Sequence, residues 1–303
     1  MLPYPYRNVS KRDAKLDFDK FIALKRDNKM KTSFIGNATT THYFDEKKVK
    51  TVYRNMSSIE FWKKHQKTLK RIAIQIDGKP LKDLTVSRRR AMLELNHTSI
   101  SQFRPAMALY IYETFKPVVG ILDFSAGWGG RMAAAMAYNK RTPLRQITYT
   151  GIDTNKKLKT PYKRMIKDFG DSKKQCLVLG KSETTDFSKL PAYDFVFTSP
   201  PYFTLEKYEH MPNYDSYYEW LNIFLFPVMD KCFTFIRKGK GDCGFVCVNI
   251  SAKIYQDMRK RYGVPEKKIL MPIRNRSQHY DKKKTNMKRE YVYCWNVRNY
   301  KGK

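Results

Sequence analysis

The sequence predicts an α/β protein with a mostly parallel sheet and a basic N-terminal extension. From about residue 100, short apolar runs alternate with helical stretches, whereas residues 1 to about 90 show no such alternation. A chain of 303 residues suits one domain of moderate size with an extension, or two small domains. We therefore divide it into an extension over 1–95 and an α/β domain over 96–303.

The α/β part contains seven candidate strands with helices between them. The strands are predicted at 118–124, 147–153, 176–179, 194–198, 244–250, 269–273 and 291–297, and the helices around 133–138, 162–168 and 217–236. Apolar strands with helical crossovers imply a parallel sheet covered on both faces, and we expect the last strand to run antiparallel. In such sheets ligands bind beyond the carboxyl ends of the strands, near the point where the strand order reverses.

The extension offers few local signals. Ser57 and Glu60 have capping-box spacing and predict a helix that continues through Leu69. Gly78 and Pro80 then break the chain. The sequence assigns no fold to this part.

The charge of the chain indicates a polyanionic partner. There are 60 Lys and Arg against 28 Asp and Glu, a formal net charge of +32. Residues 1–90 carry 23 of these cations against 9 acids, so no detachable basic tail explains the total. Neutralisation of phosphates would favour DNA or RNA, while a solubility adaptation or a lysine-rich proteome is the alternative.

Cysteine usage and hydropathy indicate a soluble intracellular protein. The five cysteines form no C-x-x-C pair, which favours free structural thiols over disulfides or zinc. The first thirty residues hold no apolar signal region, and no apolar stretch approaches the length of a membrane span. We therefore expect no membrane partner.

A glycine-rich motif, D-F-S-A-G-W-G-G-R at 123–131, follows the first predicted strand and precedes an alanine-rich helix. Glycines let the backbone turn tightly and approach a ligand, and a helix N-terminus offers free amides. The spacing matches neither the dinucleotide fingerprint nor the P-loop. Alone, the motif fits a dinucleotide site, a nucleoside site or a plain tight turn.

Two further motifs end later strands. Asp153 ends the second strand, where a carboxylate either accepts hydrogen bonds from ribose hydroxyls or caps a helix. The sequence T-S-P-P-Y-F at 198–203 ends the fourth strand. Two prolines stiffen the backbone and remove two donors, so acceptors and a flat ring lie side by side. That combination fits an aromatic amine, although a plain proline turn is the common alternative.

In their order and strand positions these motifs resemble the class I amino-methyltransferases that act on adenine N6 or cytosine N4. The resemblance covers about residues 98–298 and implies a Rossmann-like class I methyltransferase sheet with S-adenosylmethionine as cofactor. It implies that the glycine-rich motif binds the methionine part and that the acidic residue of the second strand binds the ribose. The cofactor contacts implied are Asp123, Ser125, Gly127, Gly129 and Asp153.

The resemblance also covers smaller cofactor motifs. Residues 101–105 are similar to an additional motif that places Phe103 and Arg104 near the cofactor carboxylate. Between strands three and four, Ser182 or Asp186 would bond the cofactor adenine, and the sequence does not decide which.

The family's catalytic motif corresponds to Ser199, Pro200, Pro201 and Tyr202. The resemblance implies that Ser199 and the Pro200 carbonyl accept the amine hydrogens while Tyr202 stacks on a flipped base. Serine replaces the acidic residue common in adenine-N6 enzymes, which favours cytosine N4 slightly. It also suggests an alternative, a catalytically silent nucleic-acid-binding paralogue. Methyl transfer from a sulfonium requires no metal.

Candidate substrate contacts lie in the loops after the strands. Phe203 follows the catalytic motif, and Arg274, Arg276 and Lys283 belong to a basic loop that is either a backbone clamp or a solvated loop. The motif order does not separate DNA from RNA, so DNA is favoured and RNA is the alternative. The sequence does not indicate an oligomeric state.

Overall fold

The computed structural model describes residues 1–53, 55–97, 100–201, 203, 211–237, 243–271 and 290–299. Within these ranges seven strands form one sheet. They are β1 (Gly120–Asp123), β2 (Thr148–Asp153), β3 (Gln175–Leu179), β4 (Phe195–Thr198), β5 (Phe245–Ile250), β6 (Lys267–Met271) and β7 (Glu290–Asn296). All seven overlap the predicted runs.

The strand order is β3-β2-β1-β4-β5-β7-β6. Strands β1 to β5 pair in parallel, while β7 pairs antiparallel with β5 and with β6. The predicted parallel sheet with an antiparallel last strand is confirmed. Because the order reverses between β1 and β4, the ligand-binding crevice is expected where these two strands end.

Helices cover the sheet and precede it. Those of the α/β part are α6 (Pro105–Phe115), α7 (Gly130–Arg141), α8 (Lys159–Phe169), α9 (Tyr217–Glu219), α10 (Phe226–Phe235) and α11 (Ala252–Tyr262), with a π-helical stretch, Trp220–Leu225, joining α9 to α10. No helix is predicted from the sequence between β5 and β6, where α11 lies. Its signal was present, because Ile254, Met258 and Tyr262 recur at helical spacing and are buried.

The extension is helical. It contains α1 (Lys11–Ala23), α2 (Asn37–Lys50), α3 (Ser58–Lys64), α4 (Gln66–Asp77) and α5 (Val86–Asn96). Helices α1 and α2 pack on α7 and α8 and share the core beneath the sheet. The ring of Phe18 lies 4.6 Å from that of Phe169, and the ring of Phe44 lies 5.0 Å from that of Tyr162. The core therefore continues across the proposed boundary near residue 95.

Helices α3 to α5 enclose a second, smaller core around Trp62, Leu69 and Leu93. The predicted capping box at Ser57 and Glu60 is present. The chain leaves helical geometry at His65, so the single predicted helix is two helices. Gly78 ends α4 in the left-handed conformation, with φ of 62°.

Within the described part of the chain, no helix combines the length and the apolar character needed to cross a membrane.

Candidate active site

A cavity of about 780 Å³ opens beyond the carboxyl ends of the parallel strands. Its walls include residues from the ends of β1, β2, β4 and β5, among them Ser125, Asp153, Ser199 and Asn249. The predicted motifs therefore meet at one cavity, at the point where the strand order reverses.

The glycine-rich turn is closed in by two other segments. Gly129 has φ of 79°, and a Cβ atom there would lie 2.5 Å from the Phe44 ring of α2. A Cβ atom at Gly130 would lie 2.1 Å from the carbonyl oxygen of Phe103. Only glycine fits both positions without displacing its neighbours. Gly127 lines the cavity, whereas Gly129 is not among the lining residues.

Asp123 lies beneath the turn and does not line the cavity. Its carboxylate accepts from Arg131 Nε at 2.6 Å, from the Tyr149 hydroxyl at 2.5 Å and from Thr198 Oγ1 at 2.9 Å. These protein donors offset the cost of burying the charge. Asp123 thus links the glycine-rich turn to the residue that precedes Ser199, and its contacts are structural.

Asp153 lines the cavity at the end of β2. One carboxylate oxygen accepts from the Gly127 N–H at 2.8 Å and the other from the Asn155 N–H at 2.9 Å. Burial raises the pKa of this carboxyl, and the two N–H donors oppose the rise. A carboxylate offers about four acceptor sites, so Asp153 retains capacity for two hydroxyl donors.

The structure separates the two adenine candidates. Ser182 is buried in the cavity wall, where its hydroxyl donates to the Phe124 carbonyl at 2.6 Å. Asp186 is exposed, caps a short helix through the Ser188 N–H at 3.0 Å and does not line the cavity. Sequence reasoning missed Trp220, which lines the same cavity. An aromatic residue inside an apolar helix carries no signal that distinguishes a lining position from the core.

Phe103 and Arg104 both line the cavity. The Phe103 ring meets Phe197 edge-to-face at 5.3 Å. Arg104 donates to the Lys31 carbonyl at 3.2 Å, and its guanidinium lies 5.3 Å from the Phe34 ring. This segment is therefore held by the extension.

In the T-S-P-P-Y-F motif, Ser199 and Pro201 line the cavity, while Pro200 is buried and is not a lining residue. The Ser199 hydroxyl donates to Asn249 Oδ1 at 3.2 Å. Phe203 packs 6.3 Å from the Tyr217 ring rather than lining the cavity. Tyr202 lies outside the described residues, as do the substrate candidates Arg274, Arg276 and Lys283.

The extension supplies lining residues that sequence reasoning did not identify. They are Arg7, Phe34, Asn37, Thr41, Lys48, Tyr53 and Glu94. No local pattern indicates them, because their place at the cavity depends on how α2 and α5 pack over the sheet.

The strand order with an antiparallel β7 is a Rossmann-like α/β sheet of the kind that the resemblance to class I methyltransferases implies. No family model and no curated protein matches the sequence. Solved structures do resemble it, at low identity. One is a SAM-dependent methyltransferase from Agrobacterium tumefaciens, 14% identical over 66% of this chain and 64% of that one, with a TM-score of 0.43.

Two further solved structures also resemble the chain. TrmN from Thermus thermophilus is 15% identical over 69% of this chain and 52% of its own, with a TM-score of 0.42. A type I restriction-modification methyltransferase subunit from Streptococcus thermophilus is 11% identical over 70% and 48%, with a TM-score of 0.44. The chain thus spans about half the length of each of these two proteins.

Proposed function

We propose that this protein transfers a methyl group from S-adenosylmethionine to the exocyclic amino group of a base in nucleic acid. DNA is favoured over RNA, and cytosine N4 slightly over adenine N6. The observation that carries the proposal is that Ser199 and Pro201 share one cavity with Gly127 and Asp153. A nucleoside-binding carboxylate and an acceptor for an aromatic amine thereby face the same space.

The residues present fit the cofactor. Asp153 has acceptor capacity for the two ribose hydroxyls. The Ser182 hydroxyl donates its hydrogen bond to the Phe124 carbonyl, so its oxygen lone pairs can accept from the adenine amine. Trp220 is fully buried, and its Nε1–H has no hydrogen-bond partner among the described residues. Such orphaned donors are rare in native proteins, and a ring nitrogen of the cofactor adenine would supply the missing acceptor.

The chain's own residues prepare the amine. An exocyclic nitrogen is a poor nucleophile because its lone pair is delocalised into the ring. Ser199 lines the cavity, and its oxygen accepts one of the amine hydrogens, which favours a pyramidal nitrogen with a localised lone pair. S-adenosylmethionine supplies a methyl group on a positively charged sulfur. Transfer would form the N–C bond as the S–C bond breaks, with the electron pair passing to sulfur and the proton released from the nitrogen passing to solvent. Alignment of the two reactants contributes several kcal/mol.

The charge supports nucleic acid as the substrate. A net charge of +32 suits phosphate neutralisation, and a cavity beyond the sheet requires the base to leave its stack. Folded RNA methylated at adenine N6 would use the same residues and remains the alternative substrate.

The test uses S-adenosylmethionine with a labelled methyl group and duplex DNA, single-stranded DNA or RNA. Digestion to nucleosides and mass spectrometry identify the product. We expect N4-methylcytosine in DNA, strongly reduced by Ser199→Ala and unaffected by Ser188→Ala, a matched change at an exposed site. N6-methyladenine would reverse the base preference, and label in RNA alone would reverse the polymer preference. If no nucleic acid is labelled and calorimetry detects no cofactor binding, the result would favour the catalytically silent paralogue.

A further inference from the structure

A lysine of the extension lines the cavity without a partner. Lys48 lies on α2 and is only 8% exposed. Its ammonium forms no hydrogen bond or ion pair with any residue that the structure describes, yet it is part of the cavity wall. Unpaired charges are seldom buried, because removal from water costs several kcal/mol per ion. A buried, unpaired cation facing a cavity indicates that the ligand supplies the anion.

The neighbouring carboxylates are already engaged. Asp45 accepts from Arg90 Nη2 at 3.0 Å and from the Arg7 N–H at 3.1 Å. Glu94 accepts from Arg7 Nη2 at 3.0 Å and from Arg90 Nε at 3.1 Å. The two arginines, Arg7 and Arg90, therefore neutralise the two acids, Asp45 and Glu94. The ammonium of Lys48 is left as an additional positive charge beside them.

The pKa of Lys48 agrees with this geometry. Burial lowers it to about 8; Asp45 and Glu94 oppose the shift, while Arg90 and Arg7 add to it. The amine is thus still mainly protonated at neutral pH, and a bound anion would stabilise that charge.

We propose that Lys48 binds a backbone phosphate of the nucleic acid, close to the target nucleotide. The inference rests on the proposed function, which brings nucleic acid to this cavity. The only anionic group of S-adenosylmethionine is its carboxylate, which is expected near Phe103 and Arg104. That segment contacts the start of α2, where Gln102 Nε2 donates to Thr40 Oγ1 at 2.6 Å. Lys48 lies eight residues further along the helix, about 12 Å away at 1.5 Å per residue.

The experiment compares Lys48→Met with Lys48→Arg and with Lys50→Met, which removes an exposed lysine from the same helix. Binding of a fluorescein-labelled single-stranded oligonucleotide is measured across a salt series. Binding of S-adenosylhomocysteine is measured by calorimetry. We expect Lys48→Met to weaken oligonucleotide binding roughly tenfold. The slope of log affinity against log salt concentration should fall by about the amount that corresponds to one phosphate contact. Lys48→Arg and Lys50→Met keep the slope, and all variants keep their affinity for S-adenosylhomocysteine, which also shows that they are folded.

Two results overturn the inference while leaving the proposed function intact. One is weaker S-adenosylhomocysteine binding by Lys48→Met with unchanged oligonucleotide binding, which would assign the lysine to the cofactor. The other is no change in either affinity. If the wild-type protein binds S-adenosylhomocysteine but no oligonucleotide, the proposed substrate class fails, and the phosphate contact fails with it.

Discussion

The Ser199 hydroxyl lies 3.2 Å from Asn249 Oδ1, and the direction of this hydrogen bond is fixed from the far side of Asn249. Asn249 Nδ2 lies 3.1 Å from the carbonyl oxygen of Tyr291, which only accepts. The amide nitrogen therefore faces Tyr291 and the amide oxygen faces Ser199, so Ser199 donates. With its proton held by Asn249, Ser199 presents lone pairs to the cavity. In the proposed function, Asn249 thus orients a neutral hydroxyl as an acceptor for an amine.

Replacing Asn249 tests this orientation. Asn249→Leu frees the Ser199 proton and should lower the single-turnover methylation rate about tenfold, the value of one hydrogen bond of about 1.4 kcal/mol. The affinity for S-adenosylhomocysteine should not change. In a Ser199→Ala background the same substitution should have little effect, because the two residues act as a unit. An equal loss in both backgrounds would mean that Asn249 acts through the fold rather than through Ser199.

Asp153 is expected to determine cofactor affinity. Asp153→Asn replaces a charged acceptor of ribose hydroxyls with a neutral group, which should weaken S-adenosylhomocysteine binding by roughly 10- to 100-fold. Calorimetry measures the effect. Asp186→Asn is the matched control, since Asp186 is exposed and outside the cavity. Unchanged affinity in Asp153→Asn would refute the ribose contact.

Replacing Trp220 tests the proposed contact between the cavity and the cofactor adenine. Trp220→Phe keeps an aromatic ring but removes the unpaired Nε1–H, so S-adenosylhomocysteine should bind about fivefold more weakly. The matched control is Trp62→Phe, because the Trp62 Nε1–H donates to the Leu2 carbonyl at 3.0 Å in the separate core of the extension. That control should lower the melting temperature and leave cofactor affinity unchanged. Unchanged S-adenosylhomocysteine affinity in Trp220→Phe, with weaker binding in Trp62→Phe, would show that Trp220 does not contact the cofactor.

Asp123 is expected to act on stability. Asp123→Asn leaves the buried Arg131 without its counter-charge, so the free energy of unfolding should fall by about 3 kcal/mol or more. Urea denaturation measures the change. Glu46→Gln breaks an exposed ion pair with Lys50 and should alter the free energy of unfolding by less than about 1 kcal/mol. If Asp123→Asn is as stable as the control, the buried pair does not hold the turn.

The sheet was readable from sequence because its strands are short apolar runs whose ends carry distinctive residues. The Asp153 and Ser199 positions follow from strand order alone, since parallel strands end at the same edge. Burial of a single acid cannot be read in this way. Asp123 ends β1 as Asp153 ends β2, but donors from β2, β4 and α7 enclose Asp123.

The contribution of the extension was beyond sequence reasoning for a different reason. Lys48 is one of many lysines, and nothing in its neighbourhood distinguishes it from the exposed Lys50. Its place at the cavity depends on Phe44 packing against the glycine-rich turn and on Asp45 pairing with Arg90, 45 residues further along the chain. Such long-range contacts leave no periodicity in the chain.

The same lysine predicts a pH dependence of nucleic-acid binding. In the free protein the pKa of Lys48 is lowered to about 8, and a bound phosphate would raise it. Affinity for an oligonucleotide should therefore be constant below pH 8 and should fall as pH rises above it, because binding then requires a proton. Lys48→Arg keeps its charge at these pH values, so its affinity should stay constant between pH 7 and about 9.5. Fluorescence anisotropy at fixed ionic strength measures both proteins. An identical decline in the two would assign the titration to other groups.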